Sequence, residues 1–210
     1  MSNPIPLEPS KYYHVYNRGN NRENIFIEER NYIYFLKLYA HHIQPIAETF
    51  AYCLLKNHFH FLIRVKNLTG LEDLSGLEDP SGLGDLSGLE HDPSQAFSNF
   101  FNAYSKAINK AYQRTGALFQ RPFGRIEVTS DAYFKQLVIY IHQNPQKHKF
   151  VNDFREWKYS SYHALIATQA THLKRDEIIG WFDNATGFMN AHQQLIGENE
   201  VSALAPEDFD

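Results

Sequence analysis

The sequence predicts an α+β fold in which helices pack on an antiparallel sheet. Short β-prone runs alternate with segments whose apolar residues recur at helical spacing, in the order strand, helix, strand, strand, loop, helix, strand, helix. Only Lys56 and Asn57 separate the second and third strands, which is a tight connection between neighbouring strands. A hydrophobic fraction of 43% in 210 residues is enough for the core of one domain.

The first half of the chain supplies three strands and one helix. We expect strands at 11–17, 50–55 and 58–66, with a turn at 18–21 after the first of them. A helix is expected over 28–42 because apolar side chains recur there at helical spacing. These side chains are Tyr32, Phe35, Leu36 and Tyr39.

The second half supplies two helices and one strand. Ser94 is the expected cap of a helix with an apolar stripe. The stripe consists of Phe97, Phe100, Phe101, Tyr104, Ile108 and Tyr112. A basic, strand-like run covers 118–128. The last long helix begins at Asp131 and is expected to end at Pro145, because the residue before a proline disfavours helical geometry.

An acidic repeat interrupts this pattern. Residues 71–90 repeat the hexapeptide Leu-Glu-Asp-Leu-Ser-Gly with small variations. Because such a repeat has few bulky side chains, it cannot build much core, and we interpret 67–93 as an inserted loop without a catalytic role. The main domain would then comprise 1–66 and 94–166, and 167–210 would form a helical extension with an acidic tail.

The net charge of −4 is unevenly distributed. Residues 67–93 and 197–210 hold twelve of the 24 acidic residues and no Lys or Arg. The rest of the chain carries 12 acidic and 20 basic residues, a net charge of +8, which suits a phosphate-binding surface but also an ordinary solvated one. The candidate DNA contacts are Arg18, Lys106, Lys110, Arg114, Arg121 and Arg125. Phe119 and Phe123 lie between the last of these bases, as in surfaces that combine backbone contacts with base stacking.

Two histidines share one face of the third strand. Side chains alternate across a strand, so Phe59 and Phe61 point to the core while His58 and His60 point to the opposite face, which we expect to lie outside the core. Their Cα atoms should stand about 7 Å apart, which lets two ring nitrogens converge on one ion. The pattern alone more often means two half-exposed surface histidines.

Five stretches in order resemble the REP-associated tyrosine transposases, relatives of the single-tyrosine HUH transposases of small insertion sequences. They are YYHVYNRGNNRENIF, YCLLKNHFHFLIRV, RTGALFQRPFGRIEV, YIHQNP and WKYSSYHAL. HUH denotes His-hydrophobic-His, matched here by His58, Phe59 and His60. The resemblance covers about 11–166 without the insert, and it implies a ferredoxin-like (RRM-like) sheet. Lys56 departs from the family, which often has proline there.

The same resemblance implies a nucleophile and a metal site. The family motif Tyr-x-x-x-Asn-Pro is matched from Tyr140 to Pro145, which makes Tyr140 the nucleophile and Asn144 the third metal ligand beside His58 and His60. The residues are consistent with this assignment, since Tyr140 and Asn144 lie one helical turn apart beside a buried stripe. Imidazole and amide ligands without a thiolate indicate Mg²⁺ or Mn²⁺, and Mn²⁺ suits imidazole better.

The leading functional hypothesis is a metal-dependent endonuclease and strand transferase acting on single-stranded or hairpin DNA through a 5′-phosphotyrosine intermediate. One alternative is a non-catalytic RNA- or DNA-binding module, which leaves His58, His60 and Asn144 unexplained. Another is an HUH relaxase or replication initiator, which shares the chemistry. We expect a cytoplasmic protein without a membrane span, because the sequence has no secretory signal and no long apolar run. Monomer and homodimer both remain open.

Four other marked residues have simpler explanations. His14 is expected to pack in the sheet rather than to bind metal, and His142 to be structural or to face DNA. Cys53 is expected to be a small buried hydrophobe. Ser161 lacks the spacing of a serine-protease triad, so we interpret it as structural.

Overall fold

A computed structural model describes residues 5–67 and 92–196 of the chain; the acidic repeat and the tail from 197 lie outside them. Four strands form one sheet in the order β2-β3-β1-β4, with every neighbouring pair antiparallel. The strands are β1 (Tyr12–Arg18), β2 (Ala47–Leu54), β3 (His58–Val65) and β4 (Gly124–Val128).

Helices connect the strands in a ferredoxin-like arrangement, which confirms the predicted α+β fold. The first helix, α1, joins β1 to β2, and the second, α2, joins β3 to β4, while α3 and three short helices follow. The bounds are α1 (Glu29–His42), α2 (Pro93–Ala111), α3 (Asp131–Lys147), α4 (Tyr162–Ile166), α5 (Arg175–Trp181) and α6 (Ala185–Ala191). Among these helices, none is both long and apolar enough to cross a bilayer.

One face of the sheet packs against α1 and α2. Phe59 and Phe61 of β3 project to this side, as their alternation predicted, and stack among aromatic residues of both helices. Phe35 of α1 is fully buried in this cluster, with its ring centroid 4.7 Å from that of Phe100. This apolar layer anchors the strand that carries the two histidines.

The opposite face is also covered, which corrects the expectation that the histidine side lies outside the core. Leu62 of β3, on the same side as the histidines, packs in a second apolar cluster with Leu137 and Ile141 of α3. The helices α5 and α6 extend this cluster through Ile178 and Phe188. The sheet is therefore enclosed between two layers of helices, and the histidines lie beneath α3.

The expected strand over 118–128 is wrong in its first half, because regular pairing begins only at Gly124. Pro122 has no backbone N–H to donate, and it interrupts the run between the buried Phe119 and the strand. The segment 118–123 instead forms an irregular wall beside α2 that becomes part of the candidate site.

The expected ends of two helices also differ from the structure. Asp92 rather than Ser94 caps α2, because its side chain accepts a hydrogen bond from the Ser94 N–H (2.9 Å) and Pro93 occupies the first turn, where its missing N–H has no cost. The helix α3 continues through Pro145 to Lys147. Pro145 lies in the last turn, where little helix remains to be disrupted, so Asn144 keeps helical geometry and stays one turn beyond Tyr140.

Candidate metal and nucleophile site

His58 and His60 point from β3 toward α3, with their ring centroids 5.2 Å apart. Only 4% of His58 and 1% of His60 is exposed. Burial lowers the pKa of His58 to about 3 and lowers that of His60 well below its usual range. Both imidazoles are therefore neutral at pH 7, so each has one ring nitrogen with a lone pair and one N–H.

The hydrogen bonds of His58 indicate which of its nitrogens holds the lone pair. Its Nδ1 lies 2.8 Å from the side-chain oxygen of Asn57, which can only accept, so Nδ1 carries the proton. The Nε2 lone pair then faces the side-chain oxygen of Asn144 at 3.3 Å. Two acceptors that face each other in a buried site are unfavourable without a cation between them.

Two further polar atoms of this cluster have no hydrogen-bond partner among the described residues. They are Nε2 of His60 and Nδ2 of Asn144, and both are buried. Asn144 is completely buried on α3, directly above the histidine strand. Buried polar atoms without a protein partner are uncommon in folded proteins, and a water, a ligand or an ion normally satisfies them.

Tyr140 lies beside the same histidines. Its ring centroid is 5.5 Å from that of His60, in an edge-to-face arrangement, and the ammonium of Lys147 lies 5.2 Å from the Tyr140 ring centroid. Only 1% of Tyr140 is exposed. A cavity of 200 Å³ adjoins it, and Leu195 and Ile196, from the segment after α6, line that cavity too.

No cluster of three His, Cys, Asp or Glu side chains suited to a metal occurs within 5–67 and 92–196. The candidate ligand set instead combines two histidines with one amide. Its donors do fit a divalent ion, since His58 Nε2, the Asn144 oxygen and the unpartnered His60 Nε2 belong to one buried cluster. Neutral imidazole and amide oxygen suit Mn²⁺ or Mg²⁺ in the absence of a thiolate.

A groove with both polar and apolar lining residues reaches the cavity beside the histidines. It has a volume of 480 Å³ and runs between α2 and the irregular segment 118–123. A smaller cavity of 210 Å³ adjoins it and is lined by His58 and His60. The groove and the cavity share the lining residues Asn17, Gln120 and Pro122, so a chain lying in the groove would continue to the histidines.

The predicted DNA-contact residues separate into two groups. Lys106, Arg121 and Arg125 line the groove, and Arg18 lines the cavity at the histidines. The guanidinium of Arg125 stacks on Phe123 with 3.9 Å between its carbon and the ring centroid.

The other two predicted contacts lie outside both linings. Lys110 is exposed on α2, and Arg114 forms an ion pair with Glu23 and donates a hydrogen bond to Asn109 (2.9 Å). The structure therefore does not bring these two residues to the groove.

His14 is a functional candidate that sequence reasoning missed. It is fully buried in β1, and its Nε2 lies 2.9 Å from Nδ1 of His60. We expected it only to pack in the sheet. No local sequence signal distinguishes it, because the contact depends on the register that pairs Tyr16 of β1 with His60 of β3.

A second group of buried polar residues is structural. His142 Nδ1 lies 2.8 Å from His192 Nε2, and His142 Nε2 lies 2.8 Å from the Ser161 hydroxyl. His192 donates from Nδ1 to the Phe188 carbonyl (2.7 Å). Of the two expectations for His142, only the structural one agrees with its complete burial, and Cys53 is likewise fully buried. The group joins α3 to the end of α6.

These buried histidines should make the fold sensitive to acid. Burial lowers the pKa of His192 to about 4 and that of His142 well below its usual range. In the unfolded chain these histidines have the ordinary histidine pKa of about 6.5 and bind protons below that pH. Unfolding therefore takes up protons below about pH 6.5, and the stability of the fold decreases as the pH is lowered. The contribution of His192 alone should lower the free energy of unfolding, measured in urea, by about 2 kcal/mol between pH 7 and pH 5.

The variant His192→Gln tests this prediction, with His41→Gln as the control because His41 is exposed on α1. Between pH 7 and pH 5, the free energy of unfolding of His192→Gln should decrease by about 2 kcal/mol less than that of the native protein. The control should follow the native protein. An unchanged pH dependence in His192→Gln would contradict the prediction.

No protein-family model matches the chain, and no curated protein matches it in sequence. Its fold is similar to a solved structure of a REP-associated tyrosine transposase bound to a REP hairpin. The similarity has a TM-score of 0.54 and 16% sequence identity, and it covers 80% of this chain and 86% of that chain. At this identity the likeness establishes the fold and leaves the activity to the site itself.

Proposed function

We propose that this protein is a metal-dependent endonuclease and strand transferase that acts on single-stranded DNA, with Tyr140 as its nucleophile. The observation that carries the proposal is a buried polar cluster beside Tyr140. In this cluster the Nε2 lone pair of His58 faces the side-chain oxygen of Asn144, and Nε2 of His60 has no hydrogen-bond partner among the described residues. A sheet that only bound nucleic acid would have no use for such a cluster.

Each residue has a defined task in this mechanism. His58, His60 and Asn144 would hold Mn²⁺ or Mg²⁺, which would supply Lewis-acid polarisation of the scissile phosphate and offset the charge of the in-line transition state. The Tyr140 oxygen attacks phosphorus, the phenol proton is released, and the bond to the 3′ oxygen breaks, leaving a 5′-phosphotyrosine and a free 3′-hydroxyl. Lys147 supplies positive charge near the phenol where negative charge develops.

The groove between α2 and the segment 118–123 would hold the DNA strand. It ends at the histidine cavity and carries Lys106, Arg121 and Arg125 for phosphates. The similar transposase was solved with a REP hairpin, which supports hairpin DNA as the substrate class.

The groove predicts a difference between basic residues that line it and a basic residue elsewhere on the surface. Lys106→Ala and Arg121→Ala should each weaken binding to single-stranded DNA, because each removes one phosphate contact. Each should also reduce the slope of the logarithm of the affinity against the logarithm of the salt concentration by about one. Lys37→Ala, on the exposed side of α1, should change neither quantity. Fluorescence anisotropy at several salt concentrations measures both. Equal effects in all three variants would place the DNA elsewhere.

Cleavage of 3′-labelled single-stranded and hairpin DNA from the flanks of the protein's own gene tests the activity. Cleavage with Mn²⁺ or Mg²⁺ and none without a divalent ion is the expected result. Tight binding without cleavage under any of these conditions would favour a non-catalytic binding module instead.

A further inference from the structure

His14 of β1 is in contact with one of the proposed metal ligands. It is fully buried, its ring centroid is 5.1 Å from that of His60, and the two rings are nearly parallel. Tyr16 and Tyr140 also pack around it, with ring centroids 4.9 Å and 6.3 Å away. The contact between Nε2 of His14 and Nδ1 of His60, at 2.9 Å, has the length of a hydrogen bond.

A hydrogen bond between two ring nitrogens needs one donor and one acceptor. If His14 donates, Nδ1 of His60 accepts, and the neutral ring then carries its proton on Nε2 and cannot bind a metal there. If His14 accepts, Nδ1 of His60 carries the proton and the lone pair lies on Nε2. That Nε2 is the buried atom without a partner in the candidate site.

We propose that His14 is a positioning residue whose Nε2 accepts a hydrogen bond from the Nδ1–H of His60 and so keeps the Nε2 lone pair of His60 directed toward the metal. Metal-binding histidines commonly donate their second ring N–H to a carboxylate, a carbonyl or water, and here a second imidazole takes that place. Asn57 has the same relation to His58, since its side-chain oxygen accepts from Nδ1 at 2.8 Å. The two ligands are thus oriented in the same sense, each by a residue outside the ligand set.

This inference rests on the proposed metal site. Two variants of His14 whose new side chains have similar lengths test it. In His14→Gln the side-chain oxygen can accept the His60 proton near the position of the lost nitrogen, whereas in His14→Met the thioether is a poor acceptor. Mn²⁺ affinity is measured by the loss of the electron paramagnetic resonance signal of the free ion, and melting temperatures confirm that each variant is folded.

We expect His14→Met to bind Mn²⁺ about 10- to 100-fold more weakly than the native protein, the usual effect of removing an outer-shell partner, and His14→Gln to stay within about threefold. Native-like affinity in His14→Met would overturn the proposal. Equal losses in the two folded variants would also overturn it, because the accepting atom would then be irrelevant.

A measurement on the native protein covers the case in which His14→Met does not fold. Long-range ¹H–¹⁵N correlation spectra show the tautomer of each imidazole, and comparison with His60→Gln assigns the signals of His60. A proton on Nδ1 of His60 supports the proposal, and a proton on Nε2 overturns it. If the native protein binds neither Mn²⁺ nor Mg²⁺, the proposed function fails together with this inference, whereas Mn²⁺ binding that His14→Met leaves unchanged overturns only the inference.

Discussion

Tyr140→Phe should abolish the covalent protein–DNA adduct and all cleavage while leaving DNA binding unchanged. The substitution removes one hydroxyl from a buried ring, and that hydroxyl is the proposed attacking group. A denaturing gel shows the adduct as a slow, protease-sensitive band when the DNA is labelled on the 3′ side of the cut and Mn²⁺ is present. The native protein should give this band, and Tyr140→Phe should give none.

Tyr133→Phe is the matched control, because it removes one hydroxyl from the same helix, two turns before Tyr140. It should form the adduct at the native rate. If Tyr140→Phe still forms the adduct, another tyrosine is the nucleophile, and Tyr133, on the same helix, is the first to examine. Tyr104 is a further candidate on sequence grounds, but it packs on the opposite face of the sheet.

His60→Gln should reduce cleavage by more than about 100-fold, because replacing an outer-shell partner alone costs 10- to 100-fold and this change removes a ligand itself. Glutamine is a better choice than alanine, since His60 lies beneath α3 and truncation there would leave a cavity. The rate of product formation at saturating DNA measures the loss.

His41→Gln makes the same chemical change at an exposed position on α1 and should cleave normally. A chelator should stop cleavage by the native protein, and added Mn²⁺ should restore it. Cleavage that persists in the chelator, or in His60→Gln at the native rate, would contradict a metal site at these histidines.

Local sequence patterns predicted the elements that carry the site. Alternation along 58–66 placed Phe59 and Phe61 on one face and the histidines on the other, because a strand has a period of two. Helical spacing likewise predicted that Tyr140 and Asn144 share a turn, since both lie in α3. These features depend on nearest neighbours in the chain.

Long-range packing decided what the sequence could not show. The burial of the histidines follows from α3 packing over Leu62, and the contact of His14 follows from the pairing of β1 with β3. The groove beside α2 arises because Pro122 interrupts the run before β4, so that 118–123 forms a wall rather than a strand. Each of these depends on residues that are far apart in sequence.

The proposed mechanism requires that His58, His60 and Asn144 form one metal site beside Tyr140. Diffraction from crystals soaked in Mn²⁺, recorded at the manganese absorption edge, tests it directly. We expect one strong anomalous peak within about 2.5 Å of His58 Nε2, His60 Nε2 and the Asn144 side-chain oxygen. A strong peak elsewhere on the protein, with none at these three atoms, would contradict it.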